Sequence, residues 1–484
     1  MEGKIRNGKD EEGVFSKETE GENSKEGEIK SQCSEKKESN PEFEKLYSDI
    51  NHAIFTERRN IYISGPGGTG KSTIIKKIFN DCMNKGINVA LTSTTGVSAH
   101  SLGVGARTVH SWGAIKLGKE HPDIITNRIR GNKVNLERWV NTEILIIDEI
   151  SMCSAEVIEL LDVIGQNLRL GKKEIHKLRK NGMSIPCFGG LQIIASGDML
   201  QLEPVNGTFL FKSSIWKTIN FKNFRLTTPY RYPDLKFYEL LLRAREGKLN
   251  ENDVKLLRTR VKAYEDYKKS ERQVNVNSIK PTRIYSLKRD VETINLKELD
   301  DLEGDTIEYE CTDVIMPKKA DDKTFIDKES YTKYLDTIAP RQVFLKPNAQ
   351  VMLTVNLSID DGLVNGSRGI ITECCDEIVK VQFKSGLSII ISPNPYEYED
   401  EIVKCIRYQF PLMLAWSITT HKCQGATLDS AIIDLGTSLF CPSLGYVALS
   451  RCRTLEGIYI VNIIPDKIRA NEEALEFDKN LVGN

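Results

Sequence analysis

Between residues 43 and 225 short apolar runs, at 61–64, 89–92, 144–147 and 191–195, alternate with stretches of helical spacing. Four or five consecutive apolar residues suit a strand buried on both faces of a parallel sheet, and their alternation with helices predicts a doubly wound α/β unit. A second alternating stretch includes 283–287, 431–435 and 457–461. Two such units imply a cleft between them. Within the second, residues 345–381 switch to period-two apolar spacing, with turn pairs at Asp361-Gly362 and Asn365-Gly366, which predicts a small antiparallel barrel inserted there.

The chain of 484 residues exceeds what one core supports, so several domains are expected. The divisions predicted are a charged, disordered tail over 1–40, a first unit over 41–225, a second over 226–300 together with 406–475, and the inserted subdomain over 301–405. No apolar stretch approaches the roughly 18 residues of a membrane span. The 11 cysteines form no metal-ligand spacing, which points to reduced thiols, an intracellular address and neither zinc nor an iron–sulfur cluster. Lys and Arg (67) balance Asp and Glu (68), but a nucleic-acid enzyme needs only a local basic track, so neutrality does not exclude one.

Chemistry enters at the ends of the predicted strands. Residues 62–73 read YISGPGGTGKST: an apolar run, then Gly65-x-x-x-x-Gly70-Lys71-Ser72, then a helical pattern. Such a loop turns backbone N–H groups around a polyphosphate, and the following helix adds its partial positive charge. The nucleotide-binding residues predicted are Gly65, Pro66, Gly67, Gly68, Thr69, Gly70, Lys71, Ser72 and Thr73. Lys71 would lie on the β- and γ-phosphates and the Ser72 hydroxyl on Mg²⁺. Residues 143–152 read EILIIDEISM, a buried strand that delivers two carboxylates beside the loop. Asp148 would join Ser72 in holding the metal, and Glu149 would orient and deprotonate the attacking water.

A further strand ends in Gly197-Asp198, with Gln201 placed to sense the γ-phosphate. Arg231 and Arg451 are the two candidates for stabilising charge in the transition state. Hydroxyl, histidine and aromatic side chains on loops that leave the strands suggest a single-strand groove: Thr95, His110 and Trp112 in the first unit, Thr419 and His421 in the second. Residues 165–186 gather Arg169, Lys172, Lys173, Lys177, Arg179 and Lys180. Such a run is ordinarily a solvated helix face; the alternative is an accessory nucleic-acid contact.

Taken in order, GPGGTGKST, TSTTGVSAHSLGVGARTVHSW, IIDEISM, FGGLQIIASGDMLQLEPV, LVNGSRG, LAWSITTHKCQGATLDSAIIDL and GYVALSRCRTLEGIYI resemble the Pif-type (petite integration frequency) DNA helicases, in the 5′-to-3′ branch of helicase superfamily one. The resemblance runs from about residue 43 to 465. It implies two RecA-like domains with a wedge, placed within 113–138, and a barrel-like insertion resembling an SH3 fold. It also implies ATP and Mg²⁺ as cofactors, an ATP-site role for Gln424, and single-stranded and tailed duplex DNA as partners of a monomer. The implied activity is 5′-to-3′ unwinding in replication, repair, recombination or telomere maintenance, in the nucleus first and the mitochondrion second. A DNA-stimulated ATPase, or a RecD-like motor subunit without independent unwinding, is the alternative. Three departures stand out: residues 40–60 hold no Gln of the kind that often precedes the loop, the stretch 165–186 is longer than usual, and Glu203 stands where the family commonly has Pro.

Overall fold

The computed structural model describes residues 41–481 except 104, 117, 206, 272–278, 318–327, 337, 359–360, 376–377 and 400–402. The expected tail over 1–40 lies outside the described residues. Contacts divide the chain at residue 46, and both predicted α/β units and the insertion lie on the 47–484 side of that division.

The first unit is a six-stranded parallel sheet. In chain order its strands are β1 (Ile61–Ser64), β2 (Val89–Ser93), β3 (Arg107–Thr108), β4 (Ile144–Asp148), β5 (Gln192–Gly197) and β6 (Lys222–Arg225). Their order across the sheet is β3-β2-β4-β5-β1-β6. Every residue of β1, β4 and β5 is buried, as expected of strands that helices cover on both faces. Register sets Ser93 opposite Asp148 and Ser64 opposite Gly197, so the loops that carry the chemistry leave the sheet at one level.

The second sheet is also parallel, with the strands Ser417–Thr419, Thr282–Tyr285, Ala431–Leu435 and Ile458–Ile463 in that order. These are two RecA-like units.

The expected antiparallel insertion is present as a five-stranded sheet ordered Ser388–Ile391, Val379–Phe383, Arg368–Cys374, Gln350–Leu353, Leu412–Leu414, accompanied by a three-stranded and a two-stranded sheet. The expected border at 405/406 falls inside the strand Val403–Gln409, and Leu412–Leu414 pairs with Gln350–Leu353 of the insertion. Period-two spacing carries no mark of which sheet a strand joins.

The stretch expected to hold a wedge is largely helical. Pro122–Arg130 and Lys133–Asn141 form two helices whose Ile125, Ile129 and Trp139 are buried in the core of the first unit with Leu161 and Ile164 of the helix Ala155–Arg169. No helix among the described residues is long and apolar enough to cross a membrane.

Candidate nucleotide site and groove

The phosphate loop leaves β1 and enters the helix Lys71–Asn84. Gly68 has φ +83, and a Cβ there would stand 2.7 Å from Cβ of Arg231, so both the backbone turn and the close neighbour demand glycine. Lys71 is buried and its ammonium donates to the carbonyls of Gly65 (2.7 Å) and Pro66 (2.9 Å), which holds the lysine along the loop it would serve. Burial pulls its pKa down, opposed by the charges of Asp198, Glu149 and Asp148.

At the end of β4, Asp148 accepts from the Ser72 hydroxyl at 2.9 Å, from the Glu149 N–H at 3.0 Å and from the Ser196 hydroxyl. A hydroxyl and a carboxylate in contact form a hard-oxygen pair of the kind Mg²⁺ takes, with remaining positions left to water and phosphate. Glu149 sits in the left-handed region at φ 53, an uncommon backbone conformation for a non-glycine residue, directly after the strand. Burial and the neighbouring Asp148 push its pKa up, while Lys71, Arg451 and Gln424 oppose the rise.

From the second unit, several groups converge on the same loop. The Gly67 N–H donates to the Tyr446 hydroxyl at 2.9 Å. The N–H groups of Tyr230 and Arg231 donate to the Gly68 carbonyl at 2.9 and 3.2 Å. A Cβ at Gly67 would lie 3.7 Å from both Arg451 Nη2 and Gln201 Nε2. The Gln424 amide donates to Glu149 at 3.4 Å. Both candidate arginines are therefore at the loop: Arg451 is buried and donates to the carbonyls of Val447 (2.8 Å) and Cys423 (3.1 Å), and Arg231 donates to the Ser450 carbonyl at 3.2 Å.

Gln201 is held by Asp198, its amide donating to Oδ2 at 3.2 Å. Asp198 in turn receives Arg245 at 2.7 Å, and Arg245 also donates to Asp478 at 2.8 Å, which receives Arg225 at 2.9 Å. This buried chain joins the sensor loop to the helix Glu472–Asn480. Sequence reading missed Tyr446, Arg245 and Asp478. Tyr446 lies five residues before Arg451 in a block already singled out, which was a usable signal; Arg245 and Asp478 sit in amphipathic helices where a charged residue reads as exposed.

The proposed strand-contacting residues are not all available. Trp112 corrects the sequence expectation: it is only 3% exposed and its ring lies 4.6 Å from that of Trp139, so it is a core residue and has no free face for a base. A periodicity of apolar residues cannot tell a buried indole from a stacking one. The Thr95 and Thr419 hydroxyls accept the N–H groups of Ser98 (3.1 Å) and Lys422 (3.2 Å), shaping the ends of their loops. His110 and His421 are partly buried, and burial lowers both imidazole pKa values, which favours the neutral ring. A cleft of about 570 Å³ lies near these loops, lined by Ser98 and Ser101 of the first unit, Asn356 and Lys384 of the insertion, and Gln424 and Arg453 of the second. The Asn356 amide donates to the Ser101 carbonyl across it at 3.3 Å. Gln424 thus belongs both to this cleft and to the surroundings of Glu149.

A family model described as PIF1-like helicase matches residues 39–255, and one for the 2B domain of the DNA helicase Pif1 matches 335–374. ATP-dependent DNA helicase PIF1 of Xenopus laevis is 32% identical over 431 residues, which are 87% of this chain and 61% of that protein. The chain thus spans about three fifths of that relative's length. Uncharacterized protein 030L of Invertebrate iridescent virus 6 is 30% identical over 509 residues, covering 88% of this chain and 92% of that one. The crystal structure of Bacteroides sp Pif1 in complex with ADP-AlF4 superimposes with a TM-score of 0.68 at 27% identity, over 90% of this chain and 96% of that one. These likenesses show that the chain belongs to the PIF1-like helicase family.

Proposed function

We propose that the chain is an ATP-driven DNA motor that moves 5′ to 3′ along a single strand and opens duplex ahead of it. The observation that carries this reading is the convergence of Tyr446, Arg231 and Gln424 of the second unit on Gly67, Gly68 and Glu149 of the first. A nucleotide in that cleft touches both units, so its binding and loss change how they face each other. The ADP-AlF4 held by the Bacteroides relative and the name of the Xenopus relative support ATP and DNA as the two ligands.

In this reading the backbone of Gly65–Thr73 wraps the phosphates with Lys71 beside them. Ser72 and Asp148 hold Mg²⁺, which would neutralise charge on the phosphate oxygens. Glu149 takes the proton from water, its raised pKa making it a better base than a free carboxylate at neutral pH. Arg451 and Arg231 face the charge that develops on the transferred phosphoryl group. Gln201 reports the γ-phosphate through Asp198, and Gln424 links the base to the cleft. Thr95, His110, Thr419 and His421 shape the groove for the strand. Alternation of grip follows if each unit's affinity for the strand depends on the nucleotide state.

The wedge stays within 113–138, on the outward faces of a stretch whose Ile115, Ile125 and Ile129 pack into the core. The division into a first unit to residue 225, a second unit and an insertion is retained, with the second border moved past Leu414. We propose a monomeric motor on nuclear or mitochondrial DNA.

Strand displacement tests the reading directly. A duplex with a 5′ single-stranded tail is opened when ATP is present and the 3′-tailed duplex is not. Preferential opening of the 3′-tailed substrate would overturn the polarity, and ATP turnover indifferent to DNA would overturn the motor.

A further inference from the structure

The helix Gly171–Lys180 takes no part in the nucleotide site or the cleft. It follows the helix Ala155–Arg169 and carries Lys172, Lys173, Lys177, Arg179 and Lys180, all exposed, with His176 among them. At 100° per residue these cations and His176 occupy one arc of roughly 160°, while Ile175 and Leu178, which face the protein, and the only acid of the helix, Glu174, lie outside it. The arc holds no Tyr, Trp or Phe.

Two ion pairs involve the arc, Lys172 with Asp123 at 3.9 Å and Lys177 with Glu174 at 3.7 Å, both loose and solvent-exposed. Lys173, Arg179 and Lys180 form no ion pair with the described residues. Lys173 and Lys177 are four residues apart and Lys177 and Lys180 three, so like charges stand over one another, which costs a helix a few tenths of a kcal/mol per pair. In a chain whose charges otherwise balance, such a concentration calls for a polyanion to relieve it.

Resting on the DNA-motor reading, we infer that this helix is a docking surface for the phosphate backbone of double-stranded DNA. Three observations favour duplex over the other polyanions. From Lys172 to Lys180 the helix rises about 12 Å, the axial length of some three to four phosphates of one strand. A single-strand platform needs aromatic faces for the bases, and this arc has none. Its place is also apt: Lys172 reaches Asp123 at the start of the helix Pro122–Arg130, and Arg130 donates to the Asn167 carbonyl at 2.7 Å, so the basic face stands beside this helix of the segment proposed for the wedge. Duplex arriving at that segment meets the lysines without entering the cleft. The contact is to phosphate, so it adds affinity and register without sequence preference.

The test combines Lys173→Glu, Lys177→Glu and Lys180→Glu in the full chain, with the three Lys→Arg changes as a charge-retaining control and the melting temperature as a check on folding. Affinity for a blunt duplex, a 5′-tailed duplex and a single strand is measured across a salt series. The expected result is a loss of about tenfold or more in affinity for duplex at 0.1 M salt, and a fall of about 0.9 in the slope of log K against log salt for each phosphate contact removed. Single-strand affinity and ATP hydrolysis stimulated by single strand stay unchanged, and the arginine variant behaves as wild type. Unchanged duplex affinity and slope overturn the inference, as does an equal loss for duplex and single strand. Loss of binding to poly-glutamate with duplex binding intact overturns it in favour of an acidic protein partner. Wild-type protein whose ATP hydrolysis ignores DNA would sink the motor reading instead, whatever the lysines do.

Discussion

The hydroxyl of Tyr446 accepts the backbone N–H of Gly67 at 2.9 Å, joining a helix of the second unit to the phosphate loop of the first across 379 residues of sequence. Burial pushes the phenol pKa well up, so the hydroxyl stays protonated. The amide it holds belongs to the loop that would wrap a nucleotide's phosphates, and a phosphate that claims this amide displaces the phenol. Tyr446→Phe removes the competitor and keeps the ring. One neutral hydrogen bond is worth about 1 kcal/mol, so nucleotide affinity should rise about fivefold. Titration with a fluorescent ADP analogue measures it; weaker or unchanged binding would show that the hydroxyl does not compete.

Glu149→Gln preserves the shape of the site and removes the base. ATP hydrolysis stimulated by single-stranded DNA should fall by about 10² to 10⁴, with nucleotide binding retained. Turnover within threefold of wild type would remove Glu149 from that role.

The same residue predicts a pH dependence. Burial and Asp148 raise the Glu149 pKa above its ordinary 4.5, and only the deprotonated form accepts a proton. Hydrolysis should therefore rise with pH, its acid half-point lying above 4.5. A profile of kcat against pH locates that limb, and a half-point below the ordinary carboxylate value would contradict the environment described.

Asp198 is buried against Arg245. Burial alone would raise its pKa, but the guanidinium holds it below the ordinary 3.8, so its contribution to stability is complete above that value and is lost as the pH falls through the lowered one. Breaking a buried pair from one side costs about 3–5 kcal/mol, and Asp198→Asn should fall near the lower figure because Arg245 keeps Asp478. Thermal melts at neutral pH should show a clear loss for the variant, with the gap to wild type narrowing only on strong acidification. Equal melting of the two proteins at neutral pH would mean the pair is not formed.

Trp112 separates the core from the groove. Trp112→Phe should lower the melting temperature while leaving single-strand affinity within about twofold, because a stacked base is worth about 1–3 kcal/mol and this indole is buried, its ring tilted 49° against Trp139. A tenfold loss of affinity with unchanged melting would return Trp112 to the DNA surface.

By itself the sequence determined the two parallel sheets and the nucleotide loop, because those features are local. Strands buried on both faces are mostly apolar, as Ile61–Ile63 and Ile144–Ile147 are, and a phosphate loop needs its glycines, Lys71 and Ser72 at fixed spacing. Asp148 and Glu149 were legible for the same reason: they end a buried strand. Of the groups facing them across the cleft, Arg451 was a candidate and Gln424 followed only from the family resemblance, while Tyr446 was missed, because all three reach the loop through folding of distant segments that leave no periodic trace. The tertiary structure alone decided that Trp112 lies inside, that Arg245 and Asp478 hold the sensor aspartate, and that Leu412–Leu414 belongs to the insertion. In each case the deciding quantity is which surfaces meet, and an indole, an arginine or a three-residue strand carries the same local pattern whether buried or exposed.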